Sequence, residues 1–234
     1  MRMSFRVNPV CLWVNIYFCK TVVTIEGHKV TRNVIQNDSL ERIASEVIGC
    51  PLCKLSRTRK NAVPGQGQVS AKIMFIGEAP GKNEDLKGKP FVGAAGRILD
   101  QAMEKAGIDR SMVFITNVVK CRPPSNRIPD EDERIACRPY LQRQISLISP
   151  KIICILGNTA YSSILGGKSI TASRGKIVKK DSQRYFLTVH PAAAIYNRGL
   201  RSVFEKDLFK LSDEIKRIEN AQQGDSLLSY TKKS

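Results

Sequence analysis

Four short apolar runs, at residues 72–77, 112–117, 151–156 and 185–190, constrain this chain more than any other feature. Each is too short for a helix and too evenly apolar for a half-exposed strand, so each is expected to be a strand buried on both faces. Helical patterns separate or follow them. Residues 96–106 place Ile98, Leu99, Ala102 and Met103 on one face, and residues 203–218 carry Phe204, Leu208, Leu211 and Ile215 at 4-3-4 spacing. Residues 130–148 open with an acidic turn suited to a helix N-terminus, and Pro139 is expected to shift or kink that helix. Residues 158–165 form a shorter helix, and residues 38–48 an amphipathic one with Asp38 and Glu41 at capping-box spacing. Alternation of this kind predicts a three-layer α/β/α sandwich around a central four-stranded, mostly parallel sheet.

The domain is expected to occupy residues 38–218, with an extension at 1–37 and a polar, flexible tail at 219–234. Residues 9–25 are apolar and follow Arg2 and Arg6, as in an export signal. Asn15 and Lys20 interrupt the run, however, and no small-residue cleavage site follows. The run is also too broken to span a bilayer. A β-rich extension, or residues upstream of the natural start, is the expectation.

In sheets of this type, ligands bind at the carboxyl ends of the strands. Here those ends carry Gly77-Glu78-Ala79-Pro80-Gly81, Thr116-Asn117, Gly157-Asn158 and His190-Pro191. Four chemically distinctive ends on one rim point to a single site. The chain holds 38 Lys+Arg against 21 Asp+Glu, a net charge of +17, which favours a polyanionic partner. Nucleic acid fits best, ahead of a generally basic soluble enzyme or an anionic membrane surface. Seven cysteines include a C-x2-C pair, Cys50 and Cys53, and a distant C-x15-C pair, Cys121 and Cys137. That pattern fits a metal or cluster site better than a secreted disulfide scaffold, and it leaves zinc and an iron–sulfur cluster both open. Cys11, Cys19 and Cys154 lie outside the set, Cys154 reading as a core thiol.

The motifs resemble those of the family-4 uracil-DNA glycosylases. The matching residues are Gly77 to Gly81, Gly88-Lys89-Pro90-Phe91-Val92-Gly93-Ala94-Ala95-Gly96, Thr116-Asn117-Val118-Val119-Lys120-Cys121-Arg122-Pro123-Pro124, and His190-Pro191. They occur in the family's order across residues 38–218. The resemblance implies a monofunctional DNA-repair enzyme that flips uracil out of DNA and hydrolyses its N-glycosidic bond. It also implies a four-iron four-sulfur cluster on Cys50, Cys53, Cys121 and Cys137, with zinc the weaker choice. The partner would be uracil-containing DNA, with no membrane involved, the protein acting as an intracellular monomer. The main rival is a cluster-bearing module that binds nucleic acid on the same fold without catalysis.

The resemblance also assigns roles within the site. Gly77, Glu78, Ala79 and Pro80 would line the pocket, and Phe91 would stack on the extruded base. Asn117 would read the N3–H and O4 edge of uracil, an edge that cytosine presents with donor and acceptor reversed. His190 would face O2, where charge collects as the bond breaks. The best-known branch of the superfamily places a water-activating Asp where this chain has Ala79. Glu78 and Glu84 are therefore the acidic candidates, with Asp85 read as a loop residue. Arg174, Lys176, Arg198 and Arg201 would hold phosphates, and Leu200 or Ile195 would fill the vacated base stack. A related branch bonds covalently through a His before the last strand; residues 166–184 contain none, so ordinary hydrolysis is expected.

Overall fold

The structure, a computed structural model, describes residues 22–25, 28–31 and 38–231, with side chains described over 38–221. Residues 1–37 and 38–234 are separate compact units. In the first, β1 (Val22–Ile25) pairs antiparallel with β2 (His28–Thr31), Val22 opposite Thr31 and Ile25 opposite His28. The remainder of the apolar N-terminal run lies outside the described residues.

The second unit is built on the four predicted buried strands: β4 (Ile73–Gly77), β5 (Val113–Asn117), β6 (Ile152–Leu156) and β8 (Gln183–Thr188). All four are mutually parallel, in the order β5-β4-β6-β8. The sheet has six strands rather than the four expected. The two-residue β3 (Gln66–Gly67) and β7 (Ile177–Lys180) close its edges, each antiparallel to its neighbour. Both escaped the apolar pattern for the same reason. Edge strands face water at least in part: Gln66, Lys179 and Lys180 carry no hydrophobic signal, and Ile177 with Val178 is too short an apolar run to give one.

Strand alternation divides the core in two. Ile73 and Phe75 of β4 point to one face, where α3 (Ala94–Lys105) and α7 (Arg198–Thr231) supply Leu99, Met103, Phe204, Leu208 and Leu211. Met74 and Ile76 point to the other, where they meet Ile43 and Val47 of α1 (Leu40–Gly49), Leu141 of α4 (Glu131–Ile148) and Ala160 of α5 (Asn158–Leu165). Helices on both faces make the predicted sandwich. Each Ile or Phe so enclosed contributes about 1.5–3 kcal/mol. Cys154 is fully buried among these side chains.

Several local expectations change. The N-cap of α1 is Ser39, whose hydroxyl accepts from Arg42 N at 3.1 Å, because the Asp38 carboxylate is taken by Arg143 at 2.7 and 2.8 Å. At α4 the capping box does form, with Asp130 N donating to Glu133, and the helix runs unbroken through Pro139. Asp85 sits on a helix, α2 (Lys82–Lys87), not in a loop, and is buried; its carboxylate accepts from Lys60 N at 2.9 Å. The last helix continues to Thr231, through residues expected to form a flexible tail. That stretch has no proline, and Glu219, Ala221, Gln222, Gln223, Leu227 and Leu228 all favour a helix. A four-residue helix, α6 (Ile170–Ser173), precedes β7. No described helix is long and apolar enough to cross a membrane.

Candidate active site and cysteine pocket

The carboxyl ends of the parallel strands open into a cleft of about 520 Å³. Its wall is the segment Glu78 to Glu84, which leaves β4 and enters α2, and Phe91 with Gly93 at the start of α3 lines it further. Asn117 comes from the last residue of β5 and His190 from just beyond β8. Phe91, Asn117 and His190 therefore meet in one cavity, large enough for a nucleobase and its sugar.

Phe91 is buried, yet one part of its ring faces the cleft. Its backbone has φ 51°, a left-handed conformation that a non-glycine residue adopts at a cost of about 1–3 kcal/mol. Two glycines make the arrangement possible. A Cβ at Gly96 would lie 1.8 Å from the Phe91 carbonyl oxygen. A Cβ at Gly77 would lie 2.7 Å from Phe91 Cζ and 2.5 Å from Asn117 Oδ1. Gly77 thus lets the ring and the carboxamide share the floor of the cleft.

Asn117 is 1% exposed, and its Oδ1 is buried without a hydrogen-bond partner. An unpaired buried acceptor costs about 1–3 kcal/mol. In a cleft wall, such an atom is poised for a donor carried by a ligand.

The strand that leads to His190 ends two residues before it, at Thr188, which is paired with Leu156, the last residue of β6. His190 instead caps the 3-10 turn Pro191–Ala194, its Nδ1 accepting from Ala192 N at 3.2 Å. That bond places the ring proton on Nε2. Burial lowers the imidazole's pKa to about 4, so the ring is neutral at neutral pH. Its centroid is 5.8 Å from that of Phe91, with the rings inclined by 32°.

The two glutamates differ in occupation. Glu84 accepts from the N–H groups of Val92 at 2.8 Å, Gly93 at 2.7 Å and Gly81 at 3.2 Å. Its carboxylate fastens α2 to the loop that carries Phe91. Glu78 lines the cleft, and among the described residues its side chain has no hydrogen bond or ion pair.

Of the four basic residues expected at phosphates, Lys176 and Arg198 are exposed. Arg174 turns inward to Asp207, at 3.0 Å, because that carboxylate is fully buried and needs a counter-charge. Arg201 Nη2 donates to Gln101 Oε1 at 2.7 Å and so braces α7 against α3. Leu200 is half-buried in the first turn of α7, whereas Ile195 lies on the cleft rim. Tyr196 beside it is 97% exposed. Neither Tyr196 nor Asn126 stood out in the sequence. Asn126 also lines the cleft, from the 3-10 turn Pro124–Asn126, where it and Ser125 both have φ 54°. Its Oδ1 accepts from Arg122 Nε at 2.8 Å, and among the described residues its amide donors have no hydrogen-bond partner.

On the α1 and α4 side of the sheet, Cys50, Cys53, Cys121 and Cys137 line one pocket with Arg59, Lys120 and Tyr140. Arg59 Nη1 donates to Cys121 Sγ at 3.0 Å, and Lys120 N donates to Cys137 Sγ at 3.2 Å. Donors directed at sulfur are what thiolate ligands require. Burial raises the Cys121 thiol and pushes Cys137 up to about 11, so without a bound cation both stay protonated. Among the described residues, no three His, Cys, Asp or Glu side chains close around a single metal ion.

Residues 64–212 match the uracil DNA glycosylase superfamily. A type-4 uracil-DNA glycosylase of Sulfurisphaera tokodaii is 54% identical over 186 residues, covering 75% of this chain and 84% of that protein. One from Archaeoglobus fulgidus is 41% identical over 185 residues, covering 75% of this chain and 93% of its own length. A type-5 uracil-DNA glycosylase of Pyrobaculum aerophilum is 28% identical, covering 60% of this chain and 70% of its own.

Proposed function

The chain belongs to the uracil DNA glycosylase superfamily, and from that membership we propose the reading its cleft supports best: hydrolysis of the N-glycosidic bond of deoxyuridine in DNA, as a DNA-repair glycosylase, to leave free uracil and an abasic site. The observation that carries this reading is the orphaned Oδ1 of Asn117 on the cleft floor beside Phe91 and His190.

Uracil offers N3–H to that acceptor and O4 to the amide's donors. Cytosine would set an acceptor against Oδ1 and leave it unpaired, which costs about 1–3 kcal/mol. Phe91 stacks on the extruded ring, contributing about 1–3 kcal/mol. The Nε2–H of His190 is aimed at O2. A donor placed there stabilises the uracil anion as it leaves, and comparable donors lower barriers by about 2.7–4 kcal/mol. Because His190 is already neutral and preorganised, it acts by hydrogen bonding rather than by giving up its proton. Water reaches the sugar on the side lined by Glu78 and Asn126, whose carboxylate and amide have hydrogen-bonding capacity to spare. Glu84 serves by holding the Phe91 loop.

Lys176 and Arg198 contact phosphates, and Ile195 with Tyr196 enters the base stack as the nucleotide leaves it. Cys50, Cys53, Cys121 and Cys137 hold a four-iron four-sulfur cluster in preference to zinc, and the group supplies a structural tie between α1, the segment after β5, and α4. The enzyme works as an intracellular monomer.

The test is strand cleavage of oligonucleotides carrying U·G, U·A or single-stranded uracil. Alkali-labile product is expected from the wild-type protein, with turnover reduced at least about tenfold in Phe91→Ala and in Asn117→Ala. Binding without product would identify a non-catalytic module, and wild-type rates in both variants would reject the pocket.

A further inference from the structure

One of the buried ionisable groups that the mechanism leaves unused adjoins the base-reading residue. Lys120 is 1% exposed and lies between the cleft and the cysteine pocket. Its Nζ donates to Thr116 Oγ1 at 2.5 Å, to the main-chain carbonyl of Asn117 at 2.8 Å and to Gln144 Oε1 at 2.8 Å. No carboxylate is within ion-pair distance of it among the described residues. Lys120 also lines the cysteine pocket, whose sulfurs would supply counter-charge when deprotonated, but all three hydrogen bonds of its ammonium go to neutral oxygens on the other side. Charge alone therefore does not explain where the ammonium points.

The explanation lies in what its three acceptors belong to. Asn117 must present its carboxamide at one angle, because a half-turn about the final side-chain bond would exchange donor and acceptor and so match cytosine. The chain leaves β5 at Asn117 and turns at once. Val118 N donates to Gly77 O at 2.9 Å and Val119 N to Glu78 O at 3.2 Å, which fixes the turn to β4. Lys120 closes it by reaching back to the Asn117 carbonyl. It also fixes the turn to α4 through Gln144, whose Nε2 donates to Pro64 O at 2.6 Å. Pro64 O accepts from Thr116 Oγ1 as well, at 3.1 Å. The base-reading residue is therefore clamped from below by a network centred on one ammonium.

We propose that Lys120 is a positioning residue that sets the preference for uracil over cytosine by holding the Asn117 main chain. This rests on Asn117 being the base reader. Lys120→Met removes the clamp and keeps the bulk; Thr116→Val removes one acceptor on an almost unchanged shape. Both are made in the full-length holoprotein, with visible absorbance and melting temperature recorded. The measured quantity is the affinity ratio for matched oligonucleotides carrying 2′-fluoro-dU or 2′-fluoro-dC, analogues that resist cleavage.

A ratio is insensitive to the fraction of protein correctly folded, so a merely structural role would leave it unchanged. It should fall about tenfold in Lys120→Met, the effect of one charge-assisted hydrogen bond, and by less in Thr116→Val. For uracil substrate, KM should rise more than kcat falls. If Lys120→Met does not fold, the Thr116→Val ratio decides by itself. Unchanged ratios beside a normal wild-type preference would overturn the role of Lys120. A wild-type protein that does not prefer uracil would instead overturn the base-reading assignment.

Discussion

At the residue scale, the same side-chain type serves two purposes within one loop. Glu78 and Glu84 were equivalent candidates in the sequence, six positions apart and both facing the expected site. What separates them is a set of backbone donors that residue type cannot reveal. Three N–H groups converge on Glu84, because Val92 and Gly93 are brought back against the first turn of α2. Glu78 has no such partners. Removing the Glu84 carboxylate would leave buried N–H groups unpaired at about 1–3 kcal/mol. Glu84→Ala should therefore lower the melting temperature and raise KM, because the Phe91 loop loses its anchor. Glu78→Ala should leave the melting temperature within a degree or two and act mainly on kcat. Thermal melts alongside steady-state kinetics separate the two, and an unstable Glu78→Ala with a stable Glu84→Ala would invert the assignment.

At the element scale, the site depends on how closely α3 approaches the loop before it. Gly96 occupies the first turn of α3, and a side chain there would run into the Phe91 backbone at 1.8 Å, with backbone atoms that cannot rotate away. Gly96→Ala is expected to destabilise by about 3 kcal/mol, the upper end of overpacking costs, and to displace Phe91 from the cleft. Gly107→Ala is the control. It meets nothing within 4 Å and suffers only its φ of 68°, so it should cost about 1 kcal/mol and keep full activity. Comparable denaturation midpoints in the two variants would remove the packing argument. This close approach has no counterpart in the pattern of the sequence. The buried strands were legible because apolar residues such as Ile152 to Leu156 admit few other placements. Asn117 and His190 were legible because strand ends converge in a parallel sheet, whereas Phe91, in the loop before α3, was legible only through the family resemblance of the Gly88 to Gly96 run. The left-handed backbone at Phe91 left no mark in residue type, unlike that at Asn126, where Asn is a residue that tolerates it, and the inward turn of Arg174 left none either. Those features follow from neighbours distant in the chain. Edge strands such as Ile177–Lys180 were hidden because only Ile177 and Val178 pack on the core while Lys179 and Lys180 face water, too short an apolar run to read as a strand.

At the scale of the whole molecule, the four cysteines come from elements that the sheet alone does not join. Cys50 ends α1 and Cys53 opens the turn after it, while Cys121 follows β5 and Cys137 lies within α4. Packing between α1 and α4 is carried by few large side chains, Ile43, Val47, Tyr140 and Leu141 among them, and by the Arg143 pairs to Asp38 and Glu46. A cluster bonded to all four sulfurs would tie this corner covalently, directly beneath the segment that presents Asn117. Loss of the metal would free that corner and leave two buried thiols, while the β4–β6–β8 centre of the sheet would remain packed. For a domain of this size, each kcal/mol moves the melting temperature by about 2–4 °C, so loss of a multi-point metal tie should lower it by at least about 10 °C. Cys137→Ala should melt near the metal-free protein, and stripping the metal from that variant should add little, because both remove the same tie. Iron content with visible absorbance identifies a cluster, whereas zinc without absorbance would keep the tie and change its chemistry. A protein that contains neither metal and melts at the same temperature with or without chelator would show that hydrogen bonds and packing hold this corner unaided.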